Sequence, residues 1–454
     1  MRLPSRPALI AAAAVLALTS CGTGAPAPSG SVTLTISANS ISGGKNSESA
    51  EWIKRWVIPE FEKTHRNVKV LFQPSGVDDE HYKTKIALDL KARTGADVID
   101  LDGIWVGEFA QAGYIKPLTE VAGAAVDSWE GWSQIPQAVQ GLGVFDGKKY
   151  GLPQGTDGRL LFYNKALFKK AGLPQDWHPA DWQDIIDAGT RLKAAGVPIP
   201  IQINAGTAMG EATTMQGVLP LLAAAGAEIY TQDKWTGAHQ AVKDVLGFYQ
   251  RIYGGSGLGD PRLQQEAKGR DKSFTRFAEG EIAILAESDY FWRSVIEPTA
   301  GVAPMKDRDQ AVGYTKIPAR TSGSAIRGQD HASMSGGAVR VLNPFSRNPR
   351  LAWELLAFIH SAAATKAQLS GQARISSRTD VNDEVLATDP MLKYVADEVL
   401  PITAYRPGLA VYPRVSVLLQ EATADVVGGR SAEEAAATYA DKLTALVGAA
   451  SVGG

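Results

Sequence analysis

Between residues 32 and 102 the chain alternates strand and helix patterns without a break, and that order leaves few architectures open. VTLTIS (32–37) alternates apolar and polar side chains, as a half-buried strand does. ESAEWIKRWVIPEFEK then sets Trp52, Ile53, Trp56, Val57 and Phe61 at helical spacing. VKVLFQ (68–73) is a second strand, HYKTKIALDLKARTG a helix closed by Gly95, and DVIDLD (97–102) a third strand. A β-α-β-α-β run folds into a parallel sheet, because only right-handed crossovers pack back readily on a twisted sheet. Ligands of such sheets collect outside the carboxyl ends of the strands. The loops 38–48, 73–79 and 102–105 are thereby singled out.

The rest of the chain keeps the same mixture. ADWQDIIDAGTRLKAAG has Asp181 as N-cap and Gly196 as stop, and NPRLAWELLAFIHS pairs Asn348 as cap with Pro349 at the first helical position. SAEEAAATYADKLTALV opens on a capping box, Ser431 to Glu434. EIAILAES (281–288) and GAVRVL (337–342) read as strands. Residues 31–454 exceed what one hydrophobic core usually supports, so two lobes are expected.

The chain holds one cysteine, which can close no internal disulfide and finds no second Cys for a metal or redox pair. Arg2 and Arg6 precede an apolar run, Ala8 to Leu18, that is too short to span a bilayer, and Leu18-Thr19-Ser20-Cys21-Gly22 follows. This order resembles the bacterial lipobox. It implies a signal peptide over 1–20, lipidation at Cys21 and a flexible Gly/Ala/Pro/Ser linker over 21–30. An ordinary cleaved signal peptide that happens to contain a Cys is the alternative.

The formal net charge is -2 and no stretch is dense in Lys and Arg, which argues against nucleic acid as a partner. No G-x-S-x-G elbow, H-E-x-x-H, C-x-x-C or phosphate loop is present, and the histidines at 65, 81, 178, 239, 331 and 360 never fall at i, i+4. No metal or other cofactor is expected. Glycosidases need only two carboxylates from anywhere in a chain, so a secreted carbohydrate-active hydrolase stays open at this point.

Three blocks together resemble the extracellular solute-binding proteins of carbohydrate ABC importers, such as those for maltose, trehalose and other oligosaccharides. In GADVIDLDGIWVGEFAQAGYIKPLTE (95–120) a strand ends in an acid, an aromatic follows, and a helix closes on A-x-x-G with an I-x-P-L exit. YGLPQGTDGRLLFYNKALFKKAGLP (150–174) is similar to the family's crossover strand, with Tyr163 and Asn164 as its "YN". FTRFAEGEIAILAESDYFWRSV (274–295) resembles a strand running into an aromatic ligand loop. ISSRTDV and YRPGLAVYPRVS support the match, which runs in order through nearly all of residues 31–450.

The resemblance implies a two-lobe α/β fold of periplasmic-binding-protein type II, each lobe a mainly parallel sheet flanked by helices, the two joined by a multi-strand hinge. Lobe one is then 31–153 with 337–373, and lobe two 154–336 with 374–454. A monomer is expected, closing on a carbohydrate and presenting the closed form to a membrane permease.

Sugar hydroxyls both donate and accept, so carboxylates and amides fix their orientation, and the C–H faces of a ring lie on aromatic planes. Asp102, at the end of the third strand, matches a family ligand contact; otherwise it caps the segment beginning near Ile104. Trp105 either stacks on a ring or seals the lobe. Glu48 is a ligand carboxylate or a helix-dipole acid. Asp157 matches the crossover position that faces the cleft, with a turn beside Gly158 as the alternative, and Arg159 is expected on the other face. Tyr290 and Trp292, spaced by two, share one face if extended and match the family's stacking aromatics, with Asp289 beside them. Gly336 and Gly337 let backbone N–H groups approach a ligand or mark the lobe crossover. Arg406 bridges ligand and lobe or forms a structural ion pair, and the polar face of Glu211, Thr214 and Gln216 is a further candidate. The same scaffold adapted to a glycerophosphodiester would want a basic cluster, whereas these loops are acid-rich.

Overall fold

The computed structural model describes residues 31–453 apart from 78, 256, 300 and 371–373. Cys21, the expected signal peptide 1–20 and the linker 21–30 lie outside the described residues, as does the expected boundary at 373.

The strands that carry the architecture are, in chain order, β1 (Val32–Ala38), β2 (Val68–Pro74), β3 (Val98–Asp102), β4 (Gly151–Pro153), β5 (Arg159–Asn164), β6 (Ile199–Gln202), β7 (Ile282–Ser288), β8 (Val312–Thr315), β9 (His331–Ser335), β10 (Ala338–Leu342) and β11 (Thr403–Tyr405). The β-α-β-α-β run forms as its pattern predicts. Its first helix covers 47–64 with a π-helical middle, Ile53–Val57. That widened turn stands just before Pro59, whose ring cannot continue the i→i−4 ladder.

Two sheets form the centres of two lobes. One has the order β2-β1-β3-β10-β4, the other β8-β5-β7-β6. Both are mixed rather than mainly parallel. β1 runs parallel to β2 and β3, but β10 is antiparallel to β3 and to β4. In the second sheet only β7 and β6 run parallel, while β5 is antiparallel to both β7 and β8. The strand that returns from the other lobe enters from the cleft side, and this reverses its direction against the β-α-β strands.

The crossings between lobes lie together. Gly155 bridges Ser376 in antiparallel fashion, and β9 pairs in parallel with β11 just before the chain turns through Gly336 and Gly337 into β10. Gly337 has φ of +148° and a Cβ there would stand 2.4 Å from the Gly155 carbonyl oxygen, so only glycine lets these two crossings pack.

Each lobe has its own core. Leu34, Ile36, Val98, Leu355 and Leu356 are wholly buried in the first, and Leu192, Ile201, Tyr249, Ile284 and Leu443 in the second. Each such side chain contributes about 1.5–3 kcal/mol of burial. The caps read from the sequence form at Asp181, which accepts from Asp184 N–H, and at Ser431 and Glu434, which make a reciprocal capping box. Asn348 occupies its cap position without a side-chain cap bond.

Candidate functional site

The carboxyl ends of β1 and β3, the start of the helix Asp79–Lys91 and the interlobe crossings enclose a cavity of about 360 Å³. Glu48, Asp102, Trp105, Asp157, Gly336 and Gly337 line it. Asn39, Ser40, Asp79, Tyr82, Gln154, Arg293, Arg374 and Ser376 join them. The end-of-strand rule had pointed at loops 38–48 and 73–79 without naming Asn39, Ser40 or Asp79.

Asp102 stands at the end of β3, and its Oδ1 accepts the Ile104 N–H at 3.1 Å, so it caps the following turn while facing the cavity. Burial raises its proton affinity and Asp79 and Asp157 add to the rise, while Arg406 and the Ile104 N–H oppose it; the net direction is upward. Asp157 goes the other way. Burial alone would raise it, but Arg159, the Gly336 N–H and Arg293 outweigh burial and hold the carboxyl below its ordinary value. The Gly336 N–H reaches Asp157 Oδ1 at 2.7 Å and Arg159 Nη1 donates to the same oxygen. Arg159 thus turns back toward Asp157, with its Nε on Gln216 at 3.1 Å, instead of pointing away.

Asp289, Tyr290, Trp292 and Arg406 are not among the cavity walls. Asp289 is 1% exposed and is spent inside the lobe: Oδ1 accepts the Gly158 N–H at 3.0 Å and Oδ2 accepts from Arg293 at 2.9 Å. Tyr290 opens a π-helical turn, Phe291–Val295, so a spacing of two does not bring Tyr290 and Trp292 to one face. Trp292 is buried, with its Nε1 donating to Asp389 at 3.2 Å and Arg308 at 4.0 Å from its ring centre. Tyr290 packs near the guanidinium groups of Arg270 and Arg293. Arg293, one helical turn after Asp289, is the residue of this segment that reaches the cavity; the D-x-x-x-R spacing is the signal that finds it. Arg374 follows the third crossing and is exposed, with no sequence pattern to mark it.

The lining is polar and acid-rich. Carboxylates of Glu48, Asp79, Asp100, Asp102 and Asp157 face it against the guanidinium groups of Arg293 and Arg374. Asp79 pairs with Lys45 at 2.7 Å and Asp100 with Arg340 at 2.8 Å. Asn39 Oδ1 and Ser40 Oγ are buried without a hydrogen-bond partner among the described residues. The aromatic lining among the described residues is Tyr82 and Trp105, both largely packed into the first lobe at 2% and 5% exposure. Among the described residues no cluster of His, Cys, Asp and Glu has the make-up of a metal site.

Comparison with known proteins places this geometry. A solved Thermotoga lettingae ABC transporter solute-binding protein with bound alpha-D-tagatose superposes with a TM-score of 0.65 at 25% identity, over 92% of this chain and all of the other. The sugar-binding protein MalE of Xanthomonas citri does so with a TM-score of 0.72 at 18% identity, covering 91% and 97% of the two chains. An sn-glycerol-3-phosphate-binding periplasmic protein of Brucella abortus is 31% identical over 87 residues, 19% of this chain and 20% of that one. The chain spans about a quarter of the length of the curated relatives it matches, or less. Residues 44–366 match the bacterial extracellular solute-binding protein family, and with the two-lobe fold and the cleft between its lobes the chain belongs to that family.

Proposed function

We propose that this chain is the extracytoplasmic binding component of an ABC importer, which takes a sugar or oligosaccharide into the interlobe cleft and hands it unchanged to the permease. What supports the reading most is the composition of the cavity wall: carboxylates, amides and hydroxyls from both sides of the hinge, with Asn39 Oδ1 and Ser40 Oγ unpartnered. Buried polar atoms cost free energy until paired, and sugar hydroxyls, which donate and accept, pair them. The tagatose complex of the Thermotoga protein gives the same class of ligand in the same fold. Lobe boundaries near 153/154 and 336/337, a lipid anchor at Cys21 and a monomeric state complete the proposal. No helix among the described residues is long and apolar enough to cross a membrane, so the anchor is the proposed membrane attachment.

A glycerophosphodiester is the second reading, prompted by the Brucella relative. Arg293 and Arg374 would meet its phosphate, but the carboxylates around them outnumber them.

Thermal unfolding of residues 31–454 against monosaccharides, disaccharides, longer oligosaccharides and glycerophosphodiesters tests the proposal. A ligand at 100 times its Kd adds about 2.7 kcal/mol of stability, so one sugar group is expected to raise Tm in a dose-dependent way and to be recovered intact. A shift from phosphodiesters alone supports the second reading. Cleaved sugar would mean a hydrolase, with Asp102 and Asp157 as its carboxyl pair.

A further inference from the structure

The turn that begins at Asp102 and the loop that carries Arg406 pack backbone to backbone. A Cβ on Gly107 would lie 2.3 Å from the Gly408 carbonyl oxygen, and one on Gly408 would lie 2.9 Å from Gly107 N. Arg406 is thereby fixed beneath the cleft floor, beside a small void of about 30 Å³ that Ile104, Ser335 and Gly336 also line.

Its guanidinium is buried, with the side chain 12% exposed, and its hydrogen bonding is incomplete. Nη1 donates to Glu211 Oε1 at 3.0 Å, while Nε has no partner among the described residues. Glu211 is supplied independently by the Tyr412 hydroxyl at 2.6 Å and the Ser416 hydroxyl at 2.5 Å. On the cleft side, Arg406 Nη2 and Asp157 Oδ1 both lie 3.7 Å from the point where a Cβ on Gly336 would stand. Arg406 therefore spans from the second lobe to the acids of the cleft.

We propose that Arg406 is a positioning residue of the binding site: one cation shared between Asp102 of the first lobe and Glu211 of the second, which keeps Asp102 a charged acceptor for ligand. The role for ligand rests on the cleft reading above; the charge role does not. The groups acting on Asp102 are the Arg406 cation and the Ile104 N–H on one side, and burial with the like charges of Asp79 and Asp157 on the other. Without the cation, the carboxyl takes up a proton nearer neutral pH, and it then donates where it had accepted.

The test is a ¹³C NMR titration of the Asp102 carboxyl, assigned by its loss in D102N. R406M is expected to raise the Asp102 midpoint by about one pH unit, a tenfold change in proton affinity, and R406K to keep it near the wild-type value. E211Q is expected to leave the midpoint unchanged or lower it, because Asp102 then has the cation to itself. If R406M does not fold with Glu211 left unpaired, the double variant R406M/E211Q removes both charges and is expected to show the same rise. An unchanged midpoint in a folded variant lacking the arginine overturns the proposal. Retention of the full sugar response in D102N counts against the cleft reading and leaves the charge role of Arg406 standing.

Discussion

Asp102→Asn is expected to weaken binding of the sugar found by the thermal screen about 100-fold, with Tm within a few degrees of wild type. Hydrogen bonds to a charged group contribute about 1.5–3 kcal/mol, and each 1.4 kcal/mol is about tenfold in affinity. Asparagine keeps the side-chain oxygen that accepts the Ile104 N–H at 3.1 Å, so the cap survives while the charge is lost. Titration calorimetry separates the roles. A loss of only two- or threefold would make Asp102 a capping residue and nothing more.

The largest effect on stability is expected at Arg340. It lies on β10 directly opposite Asp100 on β3, is 1% exposed, and places Nε 2.8 Å from Asp100 Oδ1 beneath the ring of Trp52. Removing one partner of a buried pair leaves the other charge uncompensated and costs about 3–5 kcal/mol. Arg340→Met is therefore expected to lose about that much in guanidinium denaturation at neutral pH. The loss has a pH signature. Burial raises the Asp100 carboxyl and Arg340 is the first group that opposes the rise, so without Arg340 the folded state holds a proton that the unfolded state releases. Stability of the variant then falls as pH rises from the ordinary carboxylate range toward the raised folded value. Its deficit is expected to be smaller at pH 5 than at pH 7.5, and D100N/R340M is expected to recover part of the loss.

The first lobe was legible because its apolar residues keep strict periods. VTLTIS, VKVLFQ and DVIDLD alternate, and the helices between them bury one face each. Sheet direction was not legible in the same way, since β4 and β10 arrive by crossings whose partners are nearly 200 residues apart in sequence. At the site, a rule about strand ends sufficed for Asp102, and the crossover resemblance for Asp157. It failed for Tyr290 and Trp292, because a π-helical turn replaces the extended backbone that the spacing assumed. Asp289 looked available as a polar group in an aromatic loop, but a carboxylate four residues before Arg293 is satisfied locally. Arg406 left both of its readings open in the sequence, and the choice between them depends on Glu211, Tyr412 and Ser416, which only folding brings together.

The central claim is that the cleft between the lobes binds a sugar. The most direct measurement is a crystal structure of residues 31–454 with the sugar that gives the largest thermal shift. The account predicts one sugar in the cavity, with hydroxyls within hydrogen-bond distance of the Asp102 carboxylate and of Asn39 or Ser40, and Arg293 or the crossing Gly336–Gly337 contacting it from the opposite side. A sugar bound elsewhere on the surface, with the cleft free of it, would contradict that claim.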